Sequence, residues 1–305
     1  MKKRHQILCF GEILWDIFHE KDQTWQVLGG APSNLCYFFN ALGESAQLIS
    51  QVGNDELGDK ALMQLEKLNI PYHIIQSDLP TGKVDITIEN QEPQYQFNEP
   101  AAWDSIPYTE NTSHIGKSAD IIAFGSLAQR YEGNNSSFAT LKQILASNTD
   151  AIRFLDLNLR APHFTEKRIL ELLSLADILK INEEEFKYLK QLFSLEKLST
   201  RDALYQLIIM LKLNFIILTL GANGSIVMSE TDYSAKSIQK AEIKDTVGAG
   251  DSFSAAFLTA LNHGANFATS HHFANQFSSY ICTQKGAFVP IPSKFKAQLT
   301  TFSAW

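Results

Sequence analysis

The sequence predicts an α/β fold: a mostly parallel sheet with helices on both faces, and one β-hairpin set apart. Three observations predict it. Short apolar runs alternate with longer stretches of helical period, and strands alternating with helices form parallel sheets covered on both faces. Polar residues gather where the apolar runs end, at 156–160, 182–185, 219–224 and 248–251, and open α/β sheets bind ligands at the carboxyl ends of their strands. The stretch 81–88 instead alternates apolar with polar, as do Tyr95 and Phe97 with their neighbours, which is the period of a half-exposed hairpin.

Taken in order, Ile7-Leu8-Cys9-Phe10-Gly11 is short and apolar and reads as a buried strand. After Gly29-Gly30, Pro32 and Ser33 suit a helix entry; Leu35, Phe38, Phe39 and Leu42 share one helical face, and Gly43 stops the run. A strand is predicted over 46–52. A helix follows with Leu57, Ala61, Leu65 and Leu68 in step, ended by Pro71. The hairpin comes next, its turn expected at 90–93; such a hairpin serves as a lid, as an edge contact or as plain surface. From residue 119 the rhythm of strand and helix returns. Strands are expected at 120–125, 153–156, 178–181 and 215–220, with helical stretches at 170–175 and 203–211 between them. In the last clear helix Phe253, Phe257 and Leu261 recur every four residues and Gly264 closes the run.

The 305 residues are 45% apolar and 19% charged, enough for a large core and against wholesale disorder. Net charge is −7 and no basic cluster follows Lys2, Lys3 and Arg4, which argues against nucleic acid as a partner. The first apolar run is too short for a signal peptide, and no stretch is long enough to span a membrane; a cytoplasmic protein is expected. Cys9, Cys36 and Cys282 are few and widely spaced, and read as small buried hydrophobes with no disulfide frame and no metal site. A Gly-x-x-x-x-Gly-Lys loop is absent, as is a Gly-x-Gly-x-x-Gly after the first strand, so a P-loop protein and a dinucleotide-binding domain are disfavoured.

The densest signal is Asp245-Thr246-Val247-Gly248-Ala249-Gly250-Asp251. A glycine turn feeding a helix presents unpaired N–H groups and partial positive charge, and so attracts an anion. Asp251 at such a mouth is either a helix cap or a carboxylate facing an incoming hydroxyl, an arrangement that suits phosphoryl transfer. Asp16 and Asn34 also lie near the ends of elements, where small-molecule sites are built; each is a site residue, or else a turn residue and a helix cap respectively.

With Gly29-Gly30-Ala31-Pro32-Ser33-Asn34, Asn182-Glu183-Glu184-Glu185 and Thr219-Leu220-Gly221-Ala222-Asn223-Gly224 in order before that last motif, the chain resembles the ribokinase-like (PfkB-type) carbohydrate kinases, and among them the fructokinase-like members. The resemblance runs nearly the whole length. It implies a single ribokinase-like domain over 1–305, a three-layer α/β/α sandwich with a mostly parallel central sheet and a small β-sheet lid from segments near 13–30 and 81–103. It implies an ATP-dependent kinase acting on a sugar hydroxyl, with D-fructose to fructose 6-phosphate as the leading reaction; the alternatives are 2-keto-3-deoxygluconate, ribose or a nucleoside as acceptor, and a catalytically silent binding protein. Asp251 matches the family's base, and Gly248, Ala249 and Gly250 its anion hole. Asp16, Gly29, Gly30 and Asn34 match sugar-contacting positions. Asn158 and Arg160 fall in an Asp-x-Asn-x-Arg stretch near the phosphate end of the cleft, where a guanidinium grips phosphate or makes a surface ion pair. Asn182 and Glu185 match the pair near the phosphates and Mg²⁺, Glu185 acting through water. Thr219, Gly221, Gly224 and Asn275 match the ATP site. Asp245 and Thr246 match a monovalent-cation loop, K⁺ being the expected ion. One of the side chains at 125–130 is expected to face the sugar. The lid stretch 95–104 lacks arginine and lysine, unlike many fructokinases, which argues against an acceptor that already bears phosphate. A homodimer through the lid is allowed.

Overall fold

Ile7 and Cys9 face one side of the first strand, β1 (Gln6–Phe10), and Leu8 and Phe10 the other. This two-residue period builds two hydrophobic cores, one on each face of the central sheet. A computed structural model describes residues 5–20, 23–89, 92–237 and 242–302. The basic residues Lys2, Lys3 and Arg4 and the expected turn residue Asn90 lie outside them.

After β1 the chain forms β2 (Leu14–Glu20), β3 (Gln23–Gly29), α1 (Ala31–Leu42), β4 (Ser45–Gly53), α2 (Glu56–Lys67), β5 (Tyr72–Ser77), β6 (Gly82–Glu89) and β7 (Glu92–Phe97). The second stretch carries α3 (Glu110–Ser118), β8 (Ile121–Gly125), α4 (Ser137–Ser147), β9 (Ile152–Asp156), α5 (Glu166–Leu175), β10 (Ile178–Asn182), α6 (Glu183–Leu192) and α7 (Thr200–Leu211). The last contains β11 (Phe215–Thr219), β12 (Ser225–Ser229), β13 (Tyr233–Lys236), α8 (Ala249–Asn262), α9 (Phe267–Cys282) and α10 (Ser293–Thr301).

Nine strands form the central sheet in the order β13-β12-β11-β10-β9-β8-β1-β4-β5. From β11 to β5 every neighbouring pair is parallel, whereas β12 and β13 run antiparallel at one edge. Helices α3 to α7 pack on the face of Leu8, Phe124, Leu155 and Leu179. Helices α1, α2, α8, α9 and α10 pack on the face of Cys9, Phe154 and Ile217. This is the predicted mostly parallel sheet between two helical layers. Phe253 and Phe257 of α8 stack with ring centroids 6.4 Å apart. Burying each side chain contributes roughly 1.5–3 kcal/mol, and the pair fixes the helix whose start carries the glycine turn.

A second sheet, ordered β3-β2-β6-β7, stands apart. Its outer pairs are antiparallel, but β2 and β6 run parallel. The expected hairpin is β6–β7, with a correction to its turn: Glu92 and Pro93 lie in β7, paired with Glu89 and Ile88. β7 is an edge strand, where proline's missing N–H is tolerated. The sequence reading did not assign β2, β3, β5, β12 or β13 as strands. β5, β7, β3 and β13 all lie at sheet edges, and the described side chains of β5 and β13 are at least partly exposed; edge strands lack the apolar runs that reveal buried ones. Cys9 and Cys36 are buried free thiols as expected; Cys282, at the end of α9, is only half-buried. Among the described residues no helix is long and apolar enough to cross a membrane.

Candidate active site

The turn before α8 needs a small backbone. Gly248 holds a left-handed φ of 74°, and a Cβ there would lie 2.8 Å from that of Ala287, so glycine is required on two counts. The N–H of Ala249 donates to the Thr246 carbonyl at 3.1 Å, while those of Gly248 and Gly250 make no backbone bond among the described residues. Of the three residues expected to receive an anion, these two have N–H groups to offer, at a helix start that favours negative charge.

Asp251 is not the cap of α8. That position belongs to Gly248, and no side chain caps the helix. Asp251 stands in the first turn, where its Oδ2 accepts from Asn34 Nδ2 at 2.9 Å. Two residues predicted separately, 217 positions apart, therefore meet. Burial pushes the Asp251 carboxyl up to about 6; Asp156 adds to the rise, while Lys180, the Asn34 hydrogen bond and Arg160 oppose it. The Asn34 Oδ1 has no partner among the described residues, which leaves an acceptor free for a hydroxyl.

Asp16 lies in β2, paired with Val27 and Val84, so it is a lid-sheet residue and not a solvated turn. Burial raises its carboxyl to about 6 against the pull of Arg160. Its Oδ2 comes 2.8 Å from where a Cβ on Gly29 would sit, so a side chain at Gly29 would displace it. Gly30 caps α1 over the Glu12 carbonyl. Asp16, Gly29, Gly30, Asn34, Asn158, Arg160 and the 248–251 turn line one cavity of about 590 Å³. Asn158 adopts a left-handed φ of 40°, which asparagine tolerates better than most residues. Arg160 is exposed, and its NH1 donates to the Leu159 carbonyl at 3.5 Å.

A second cavity of about 780 Å³ is lined by Asn182, Thr219, Gly221, Gly224 and Asn275. Thr246, Ala249 and Gly250 border both cavities, so the glycine turn is their common wall. Asn275 is held from behind: its Oδ1 accepts from Ser225 Oγ at 3.1 Å, and that hydroxyl also bonds His271 Nε2 at 2.8 Å. Burial pulls His271 down to about 4, so the ring is neutral. Asn275 Nδ2 has no partner among the described residues, although the residue borders the cavity.

Glu185 and Asn182 form a reciprocal cap on α6. Asn182 Oδ1 accepts from the Glu185 N–H at 2.9 Å, and Glu185 Oε2 accepts from the Asn182 N–H at 2.8 Å. Glu185 Oε1 accepts from the Leu159 N–H at 2.8 Å, which ties the Asn158–Arg160 loop to α6. Both oxygens are thus engaged, and Glu185 borders neither cavity. Among the described residues no group of three or more His, Cys, Asp or Glu could hold a metal. With both oxygens held by N–H groups, Glu185 fits only an outer partner of a Mg²⁺ carried by phosphates and water. Asp245 bridges its loop, accepting from the Val247 N–H at 3.0 Å and the Gly286 N–H at 2.8 Å; Thr246 is exposed beside it.

Sequence reasoning gave no role to three buried ionisable groups, although Asp156 opens the 156–160 cluster. Lys180, inside β10, bonds both oxygens of Asp156 at 3.0 and 3.1 Å. Burial pulls its ammonium down, but Asp156, Glu185 and Asp251 outweigh this and hold it above the ordinary lysine value. Its Nζ lies 2.9 Å from where a Cβ on Gly250 would stand, directly against the glycine turn. The available signal was a lysine within one apolar strand and an aspartate at the end of its neighbour. Glu12, just after β1, is the third. In the 125–130 stretch, Leu127 borders the 590 Å³ cavity, whereas Arg130 turns to the base of the lid and bonds Asp104 twice at 2.8 Å.

A profile of the pfkB family carbohydrate kinases matches residues 4–294. An ATP-dependent 6-phosphofructokinase of Thermoanaerobacterium thermosaccharolyticum is 26% identical, covering 95% of this chain and 92% of that one. A probable fructokinase-2 of Arabidopsis thaliana is 24% identical, covering 95% and 94%. The solved fructokinase of Xylella fastidiosa with bound ATP superposes with a TM-score of 0.82 at 21% identity, over 98% of this chain and 99% of that one.

Proposed function

This chain belongs to the pfkB family of carbohydrate kinases, and from that premise we propose that it transfers the γ-phosphoryl group of ATP to a hydroxyl of a neutral sugar, D-fructose giving fructose 6-phosphate. The observation that carries the reading is the shared wall at Thr246, Ala249 and Gly250, with Asp251 on the side of the smaller cavity. Two cavities meeting at a row of backbone donors, one of them carrying a base, is the geometry in-line phosphoryl transfer needs.

In this reaction the larger cavity takes ATP, with the Asn275 amide contacting the base and the 219–224 loop flanking the nucleotide. The smaller cavity takes the sugar, with Asp16 and Asn34 engaging its hydroxyls; a carboxylate accepts from hydroxyls while a carboxamide both donates and accepts. Asp251, oriented by Asn34, accepts the proton of the attacking hydroxyl. The N–H groups of Gly248 and Gly250, with the Lys180 ammonium beneath them, stabilise charge on the phosphoryl group in flight. Mg²⁺ bound to the phosphates would supply charge neutralisation, and Glu185, whose oxygens already accept from two N–H groups, would act on it only through water.

A neutral acceptor is supported by where the cations near this cavity are spent. Of the two cations lining it, Lys180 pairs with Asp156 at 3.0 Å, and the small-sheet side chains that line it, Leu14, Asp16, Phe18, Val84, Ile86 and Phe97, include no cation. A sugar phosphate is the second reading, favoured by the relation to a 6-phosphofructokinase and by Arg160 on the cavity wall. The test is ADP release across a panel of fructose, ribose, 2-keto-3-deoxygluconate, a nucleoside and fructose 6-phosphate. Fructose should give the highest kcat/KM. A far higher value for fructose 6-phosphate or the nucleoside would overturn the assignment, and no release with any acceptor would mean a silent binding protein.

A further inference from the structure

Glu12 stands immediately beyond the carboxyl end of β1, is 2% exposed, and borders the same cavity as Asp16, Asn34 and Asp251. Its own backbone N–H donates to the carboxyl. The other oxygen, Oε2, is enclosed and meets no donor among the described residues. Arg160 favours its ionised form, and Asp251 and Asp156 oppose ionisation. A buried carboxyl with an unmet oxygen costs stability, and an apolar side chain of the same size would cost less. The arrangement makes sense if a ligand supplies the missing partner.

The surrounding charge says which chemistry that ligand has. Asp16 and Asp251 line the same cavity, and the charges of Asp251 and Asp156 act on Glu12 itself, so an anionic group beside Glu12 would be repelled and a hydroxyl would not. We propose that Glu12 is a specificity-determining residue of the acceptor pocket, its Oε2 hydrogen-bonding one hydroxyl of the bound sugar; this rests on reading the cavity as the sugar site. Burial holds the carboxyl up to about 7, so near neutrality it both donates and accepts. A site with an otherwise unpaired buried group discriminates sharply against an analogue lacking the matching hydroxyl.

The experiment compares wild type, E12M and E12Q. It measures melting temperature, KM for ATP, and kcat and KM for fructose and each monodeoxy analogue that keeps the 6-hydroxyl. Methionine keeps the volume and removes the polar group. E12M should melt no lower than wild type, keep its KM for ATP, and raise KM for fructose about tenfold, the loss of one good hydrogen bond, with kcat within about threefold. For the one analogue that lacks the partner hydroxyl, the E12M penalty should vanish. E12Q should stay within about fivefold of wild type, because an amide also donates and accepts. A uniform penalty across fructose and all analogues, or no penalty anywhere, would overturn the proposal. So would an E12M chain that fails to fold while E12Q discriminates like wild type. Wild-type turnover in the same assay reports separately on the sugar-site reading: without it that reading fails, whatever the Glu12 variants do.

Discussion

Replacing Asp251 by asparagine separates the cost of a buried charge from its use. The folded protein raises this carboxyl from its ordinary 3.8 to about 6. The group therefore binds its proton more tightly folded than unfolded, and ionising it weakens the fold as pH rises through that interval. At about 1.36 kcal/mol per pH unit, the charge costs about 3 kcal/mol above pH 7 and nothing below about pH 4. Asparagine keeps the size, and its carboxamide oxygen can still accept from Asn34 Nδ2, so D251N should recover most of that energy at pH 8. For a chain of this length, with unfolding entropy of about 2.1 cal/mol/K per residue, the melting temperature should rise by about 5 °C. Turnover should fall about 100- to 10,000-fold, mainly in kcat, because the proton acceptor is gone. The loose transition state of phosphoryl transfer would favour the smaller loss. Differential scanning fluorimetry at pH 4 and pH 8, with ADP release at pH 8, reads both quantities. A variant with no higher melting temperature at pH 8 and more than about a tenth of wild-type kcat would refute the argument, since loss of a general base costs at least about 100-fold.

The acid limb of the wild-type kcat/KM profile should fall through about pH 6, the value to which Asp251 is pushed, as the base becomes protonated; a limb near pH 4 would mean an unperturbed carboxylate carries the reaction. K180M leaves the buried Asp156 carboxylate unpaired and should destabilise by about 3–5 kcal/mol in urea unfolding, and the double variant K180M/D156N should recover most of it. N275A removes the free amide bordering the larger cavity and should raise KM for ATP about tenfold, one hydrogen bond's worth, without changing KM for the sugar; an equal rise in both would place Asn275 outside the nucleotide site.

The parts of this molecule legible in the sequence are those with a local cause. Short continuous apolar runs revealed the buried central strands, because both faces of β1, β8 and β10 are covered. Glycine stops and the Phe253–Phe257 period located α1 and α8. The edge strands β3, β5 and β13 escaped, β5 and β13 being half in water and carrying no such run. Among candidate site residues, Asp16, Asn34 and Asp251 were visible because they sit in motifs, and they line one cavity. Glu12, Asp156 and Lys180 were not. An acidic residue after one strand and a lysine inside another become a site only when the crossovers bring those strand ends together. The Asn34–Asp251 bond, which turns a helix-start aspartate into an oriented carboxylate, is likewise a product of α1 packing beside α8.

The electrostatics of the smaller cavity follow from that convergence. Glu12, Asp16, Asp156 and Asp251 crowd a region whose nearby cations are Arg160 and Lys180. Were all four carboxyls ionised, the cavity would repel the phosphates that the proposed reaction must bring to the shared wall. Two devices prevent this. Lys180 neutralises Asp156 at 3.0 Å while keeping its ammonium against Gly250. Burial raises Glu12 to about 7 and Asp16 and Asp251 to about 6. Near neutrality Glu12 is thus the carboxyl that holds its proton most readily. Asp251, set lower by Lys180 and the Asn34 hydrogen bond, is free to take one from a hydroxyl. The gradient gives neighbouring carboxyls different tasks at one pH, and it depends on Lys180: if K180Q folds, the acid limb of kcat/KM should move to higher pH, and an unmoved limb would show that Lys180 does not set the charge of Asp251.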